Sequence, residues 1–212
     1  SGELQAELEL SDDRKISTGM RTIEYDHIPI QMIYPEAKLR VERADVRLLS
    51  KKIGYVMGAG DKVPEALQEL GADITLLDPS DVAAGDLTQY DAIIAGVRAL
   101  NTRDDLLAAR ARVLEYVEQG GTFVVQYNLF SRRGPTPTLA PYKLQPSPMT
   151  RDRQDRIVDE AAPMVVVEPD HPLLTTPNHI DPADFEDWVQ ERGLYFMGEW
   201  DDQFSAPLEV AD

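Results

Sequence analysis

The 212-residue chain contains no cysteine. That removes disulfides, thiolate metal sites and a cysteine nucleophile together, and it leaves the compartment open. Histidine is scarce, limited to His27, His171 and His179. Positive charge is also short: 21 Lys and Arg stand against 38 Asp and Glu, for a formal net charge of -17. A surface that acidic repels nucleic-acid phosphates and anionic lipid, so neither is expected as a general partner. The plainer meaning of the charge is solubility or a salty habitat. No apolar run approaches the roughly 20 residues that a membrane-spanning helix needs, and no signal peptide is visible. The chain opens SGELQAELEL without an initiator Met, so the expectation is a fragment of a longer parent.

What the chain does have is a substantial apolar fraction, 42%, and two different grammars. Residues 1–50 alternate apolar and polar with period two and carry Pro29 and Pro35 as breakers, which reads as an extended β lead-in or the end of a preceding domain. From Lys51 onward, short apolar runs alternate with helical patterns. Strands are expected at 53–57, 73–77, 90–97 and 122–127. Helices are expected at 63–70, closed by Gly71, and at 104–119, closed by Gly120-Gly121. A fifth strand is expected at 164–168, a helix from Asp181-Pro182 to about Glu191, and a last strand near SAPLEV. Strands alternating with helices through short turns imply a parallel sheet covered on its faces. Residues 51–212 are therefore expected to form a flavodoxin-like, doubly wound α/β layer. A Pro- and Arg-rich loop over 128–160 interrupts it.

The stretch KKIGYVMGAGDKVPEAL invites a dinucleotide-binding reading, with Gly58 and Gly60 in place. Val63 occupies the third glycine position, and Asp61 falls where a pyrophosphate would meet the helix N-terminus. The residues fit a tight, N-capped β-to-α turn better, with Asp61 as the cap and Pro64 in the first turn. Asp78, after the next strand, fits the Asp78-Pro79-Ser80 turn.

The segments IGYVMGAGDKVPEALQELGADITLLD, LTQYDAIIAGVRALNTR, VLEYVEQGGTFVVQYN and DHPLLTTPNHIDPADFEDWVQERGLYF resemble the C-terminal region of bacterial PIG-L/LmbE-type deacetylases. That region is similar to the class I glutamine amidotransferase-like fold and its ThuA-like branch. The resemblance spans about residues 20–205. It implies a domain accompanying a catalytic deacetylase domain in one parent chain, in the periplasm or outside the cell. It does not bring the catalytic residues. The deacetylase family's His-Pro-Asp-Asp type motif and His-x-x-His pair are absent, so no metal site is expected. An amidotransferase elbow would follow the fourth strand at Gln126-Tyr127-Asn128, where no nucleophile stands.

In an open α/β sheet ligands bind at the carboxyl ends of the strands. That places Asp61, Arg98, Asn101, Thr102, Gln126, Tyr127 and Asn128 around one expected crevice, with Arg156 reaching back from the long loop. Hydroxyl-rich ligands with an apolar ring face suit such a set, so the expected partner is a glycan or small polyol, with no cofactor. The plainer alternatives are that Asn101 or Thr102 caps the long helix, that Tyr127 packs under the loop, and that Arg151, Arg153 and Arg156 pair with neighbouring acids in solvent. Asp184, Trp188, Glu191 and Arg192 are expected on one helical face. The expectation is a non-catalytic accessory domain, binding carbohydrate or packing on a catalytic partner. The competing one is a hydrolase-like enzyme using Asp61, Arg98, Asn128 and His171. A nucleotide-binding module is the third reading.

Overall fold

The computed structural model of the chain describes residues 2–41, 45–130, 139–147, 157, 159–186, 193 and 196–210. The chain divides into two compact units, Ser1–Asp45 and Val46–Asp212.

The first unit is entirely β. Its strands are β1 (Gly2–Gln5), β2 (Leu8–Glu9), β3 (Lys15–Ile16), β4 (Arg21–Tyr25), β5 (Ile28–Ile33) and β6 (Lys38–Val41). They pair antiparallel as β1 with β6, β2 with β3 and β4 with β5. The period-two pattern sorts residues by face, as pleating requires. Leu4 lies opposite Leu39 and Leu8 opposite Ile16, while Glu3 lies opposite Arg40 and Glu9 opposite Lys15. Lys38 bridges Glu36 at 2.9 Å and Glu3 at 3.4 Å. The apolar pairs have no core beneath them: no described residue of this unit is buried, and Leu4 and Leu39 are 62% and 63% exposed.

The second unit is mixed α/β. It begins with β7 (Lys52–Val56), α1 (Val63–Glu69), β8 (Asp73–Leu76), α2 (Pro79–Ala84), β9 (Ala92–Ala95), α3 (Ala99–Thr102), α4 (Asp104–Ala108), α5 (Arg110–Glu118) and β10 (Thr122–Val125). The four strands form one parallel sheet in the order β10-β9-β7-β8. Both inner strands read as continuous apolar runs because helices cover both faces. Val56, Ile93 and Ala95 pack with Val82 of α2, Leu106 of α4 and Val113 and Tyr116 of α5. Ile53, Tyr55 and Ile94 pack with Val63 and Leu67 of α1 on the other side.

Local chemistry sets the helix limits. Pro64 sits in the first turn of α1, and Gly71, at φ +98°, takes the left-handed step just past its end. Asp78 does more than turn the chain. Its carboxylate accepts from the backbone N–H groups of Ser80 (2.7 Å) and Asp81 (3.0 Å), and the Asp81 carboxylate accepts from the Asp78 N–H, closing a capping box on α2.

Three expectations are corrected here. The helix expected at 104–119 is two helices separated at Ala109, which nevertheless stays buried between Leu106 and Val113 on one apolar face. The strand expected at 164–168 is shorter and does not extend the parallel sheet. It is β12 (Met164–Val166), and it pairs antiparallel with β14 (Leu208–Val210). A second outlying ribbon joins β11 (Leu144–Pro146), inside the long 128–160 segment, to β13 (Met197–Trp200). After Asp181 the described residues form a short 3₁₀ turn over Pro182–Phe185, again held by a capping box with Asp184, and Glu186 is extended; the rest of the expected helix, to Glu191, lies outside the described residues. Trp188, Glu191 and Arg192, expected on one face with Asp184, lie outside the described residues, as do Arg151, Arg153 and Arg156.

Gly58 is needed for close approach. A Cβ there would run into the Val97 carbonyl and lie 2.6 Å from the Ala99 backbone N. Backbone atoms cannot give way as a flexible side chain does, so Gly58→Ala is expected to destabilise the second unit by about 2 kcal/mol or more. Urea-unfolding midpoints of the two proteins measure this.

Candidate functional site

The mouth of the sheet is built around Asp61. Tyr55, fully buried at the centre of β7, donates its hydroxyl hydrogen to Asp61 Oδ1 at 2.7 Å. The Val63 N–H donates to the same oxygen at 3.0 Å, and the Val97 N–H donates to Oδ2 at 3.2 Å. Gln126 Nε2 donates to the Tyr55 hydroxyl oxygen at 2.9 Å, adding the end of β10. One carboxylate thus ties the loop after β7, the start of α1 and the loop after β9. Asp61 is not itself the N-cap of α1: Lys62 holds that position without a side-chain bond, and Asp61 reaches the helix from one residue earlier. Burial, reinforced by the Asp61 carboxylate, pushes the Tyr55 phenol well above its ordinary pKa and keeps it a neutral donor.

A strand-to-helix elbow lies after β9, where Arg98 adopts a left-handed conformation at φ +59° and opens α3. Gln126-Tyr127-Asn128 continues from β10 as the partner of that elbow. The Arg98 N–H donates to the Tyr127 carbonyl at 2.7 Å, and the Arg98 Nε is buried without a hydrogen-bond partner. Asn128, 6% exposed, accepts from the Leu100 N–H at 3.0 Å and donates to the Gln126 carbonyl at 2.7 Å. Asn101 clasps the backbone of Leu129 in both directions, at 2.9 and 2.7 Å. Thr102 donates to the Arg98 carbonyl at 3.1 Å. Neither Asn101 nor Thr102 caps the helix that follows.

Sequence reasoning passed over Arg103 and Asp105. The guanidinium grips the carboxylate through Nε at 2.8 Å and Nη2 at 2.7 Å, and both terminal nitrogens donate to the Leu77 carbonyl at 3.3 Å. Nη1 also lies 3.5 Å from the Met57 carbonyl. The pair, with side chains only 17% and 22% exposed, covers the carboxyl ends of β7 and β8. An arginine two residues before an acid at a helix start was the available signal.

Open space lies to one side of this closed mouth, past β10. A cavity of about 270 Å³ is walled by Gln126, Tyr127, Asn128, Phe130, Leu100 and Leu139, among others. A second, of about 620 Å³, lies among the outlying ribbons and includes Phe196, Trp200, Phe204, Ser205 and Met164. Leu144 and Met197 line both. Of the expected crevice residues, the structure brings Gln126, Tyr127 and Asn128 to a cavity wall. Asp61, Arg98, Asn101 and Thr102 are not on it, and Arg156 is outside the described residues.

His171 borders the larger cavity through Ser205. The Leu173 N–H donates to His171 Nδ1 at 3.2 Å, which puts the ring proton on Nε2, and Nε2 lies 2.9 Å from Ser205 Oγ. In that tautomer the ring donates to the serine and cannot take its proton, so the pair ties α6 (Pro172–Thr175) to the 205 loop. Among the described residues no group of three or more His, Asp or Glu is placed to hold a metal ion, and no helix is long and apolar enough to cross a membrane.

Two outcomes follow for the mouth. Asp61→Asn turns an amide donor toward N–H groups that need acceptors, and Tyr55→Phe leaves Gln126 and Asp61 each short of a partner. Each is expected to cost about 1–3 kcal/mol in urea unfolding. The Arg103 guanidinium holds the Asp105 carboxyl below its ordinary value of 3.8. The contribution of this pair is therefore complete above that value and is lost as pH falls through the lowered one. Asp105→Asn should lower stability at neutral pH and flatten its decline below pH about 4, read from thermal midpoints across an acid series.

Comparison of the chain with protein-family models, with curated proteins and with solved structures finds no match.

Proposed function

We propose that this chain is a non-catalytic, carbohydrate-binding accessory domain of a PIG-L/LmbE-type deacetylase, with a flavodoxin-like, class I glutamine amidotransferase-like fold in its second unit. For the fold, the support is the strand order. Counting from β7, the sheet runs 2-1-3-4, the opening order of flavodoxin-like sheets.

The observation that carries the functional reading is the pair of cavities beside β10, with Tyr127 and Phe130 on one and Trp200 and Phe204 on the other. Aromatic faces stack on the apolar faces of sugar rings, and neighbouring amides supply hydrogen bonds to hydroxyls. Tyr127 is 44% exposed, Asn128 keeps a second amide hydrogen and a second lone pair beyond its bonds to Leu100 and Gln126, and Gln126 lies beside them. The non-catalytic half rests on what the polar groups at the mouth already do. Asp61 and Asn101 spend their hydrogen bonds on backbone groups and Tyr55, and the elbow presents an arginine where a nucleophile would stand.

A glycan array probed with the chain is expected to return a bound class, and Tyr127→Ala to weaken that binding at least about tenfold, the loss of one stacking contact. An array with no bound glycan, or binding unchanged by Tyr127→Ala, removes the reading. Acetylated sugars are expected to show no turnover. A metal-dependent hydrolytic rate from the pure chain would overturn the non-catalytic half.

A further inference from the structure

The larger cavity, of about 620 Å³, takes its walls from both outlying ribbons. Met197 and Trp200 come from β13, Met164 from β12, and Leu208 and Val210 from β14. The segment 201–207, which joins the two ribbons, is tied down along its length. The Asp201 N–H donates to the Lys143 carbonyl, the Phe204 N–H to the Asp201 carbonyl and the Val167 N–H to the Pro207 carbonyl, each at 2.9 Å. The Phe204 ring stands edge-on to Tyr142, with centroids 6.1 Å apart. This side of the cavity is thus held from behind by the protein's own bonds.

The chemistry of the wall is selective. Phe196, Trp200 and Phe204 bring aromatic rings, and Met164 and Met197 bring thioethers. An aliphatic ligand gains only burial against such a wall. An aromatic one gains edge-to-face and sulfur–ring contacts as well. Among the described residues, the only side-chain oxygens on the wall belong to Ser205 and Glu209. They are too few for the hydroxyls of a whole sugar ring, which would be buried without partners. Ser205 Oγ accepts from His171 Nε2–H at 2.9 Å, so its own hydrogen is left to donate to a ligand oxygen. The Glu209 carboxylate, in a chain of net charge -17, opposes an anionic group beside it.

We propose that the larger cavity binds an uncharged aromatic ring carrying one oxygen, a phenol or an aryl ether, with the ring against Trp200, Phe204 and the two methionines and the oxygen at Ser205. This deepens the carbohydrate reading, because an aryl ether is what the glycoside of a phenol presents beside its sugar. It rests on that reading only for the sugar, which then belongs to the smaller cavity with Gln126, Tyr127 and Asn128.

Phenol titrated into the full chain, with NMR detection of labelled methionine methyl groups, tests this. The Met164 and Met197 signals are expected to move together on one saturable curve, with a midpoint of about 1 mM for so small a ligand. Met57, packed against the other face of the sheet, is expected to stay in place. Cyclohexanol, alike in size and hydroxyl but without the aromatic ring, is expected to bind at least about threefold more weakly. Benzoate is expected to bind at least about tenfold more weakly. Ala206→Phe, which puts a side chain into the space, is expected to weaken phenol binding at least about tenfold. Ser205→Ala removes only the donor and is expected to weaken it about threefold. No saturable movement at Met164, binding unchanged in both variants, or phenol held no more tightly than cyclohexanol or benzoate would each overturn the proposal. An empty glycan array beside an intact phenol titration would remove the carbohydrate reading alone.

Discussion

A carboxylate with three N–H or O–H donors arriving from different elements holds the mouth of this sheet together. Asp61 receives the Tyr55 hydroxyl from the middle of β7, the Val63 amide from the start of α1 and the Val97 amide from the loop after β9. The buried Tyr55 hydroxyl would otherwise lack an acceptor, at a cost of roughly 1–3 kcal/mol, and the two amides are half-buried beside it. The close packing follows. Gly58 can lie against Val97 and Ala99 only because it has no side chain. Gly96 is under the same constraint, since a Cβ there would meet the Tyr55 hydroxyl at 2.7 Å and Asp61 Oδ2 at 2.9 Å. At the carboxyl ends of the strands these polar groups thus bond to the protein itself.

Closure at the centre moves the open space outward. Arg103 and Asp105 cover the ends of β7 and β8, and Asn128 with Asn101 fastens the loop after β10 to α3. Two cavities lie past β10, bounded by ribbons that the parallel sheet does not include. Their walls are largely apolar and aromatic, the reverse of the polar crevice that strand ends alone suggest.

Much of the second unit was legible in its sequence because it is written locally. The aliphatic runs at 53–57 and 90–97, the helical spacing of Val63 and Leu67, and the stops at Gly71 and Gly120 each follow from periodicity or from one residue's conformational preference. The pairing of β12 with β14 was not legible, because an apolar run announces a strand without naming its neighbour. Arg98 was legible as a polar residue at a strand end, but not as the elbow. A glycine would have advertised a positive φ, and an arginine does not. The role of Asp61 was half legible. Its position before a helix suggested a cap, and one of its bonds is of that kind. The bond to Val97 spans 36 positions and exists only once β7 and β9 lie side by side. In the first unit the alternation announces strands, yet period two cannot say whether the apolar face will be covered, and among the described residues it is not.

The stitching has a consequence for how this fold tolerates change. Loops at the carboxyl ends of an α/β sheet are ordinarily the parts free to vary in sequence and length while the scaffold stays fixed. Here those after β7, β9 and β10 share one set of hydrogen bonds. Lengthening any one of them shifts the atoms on which the other two depend, and local opening of one must break bonds held by all three. The three loops therefore behave as part of the rigid core, and room for variation passes to the ribbons beyond β10.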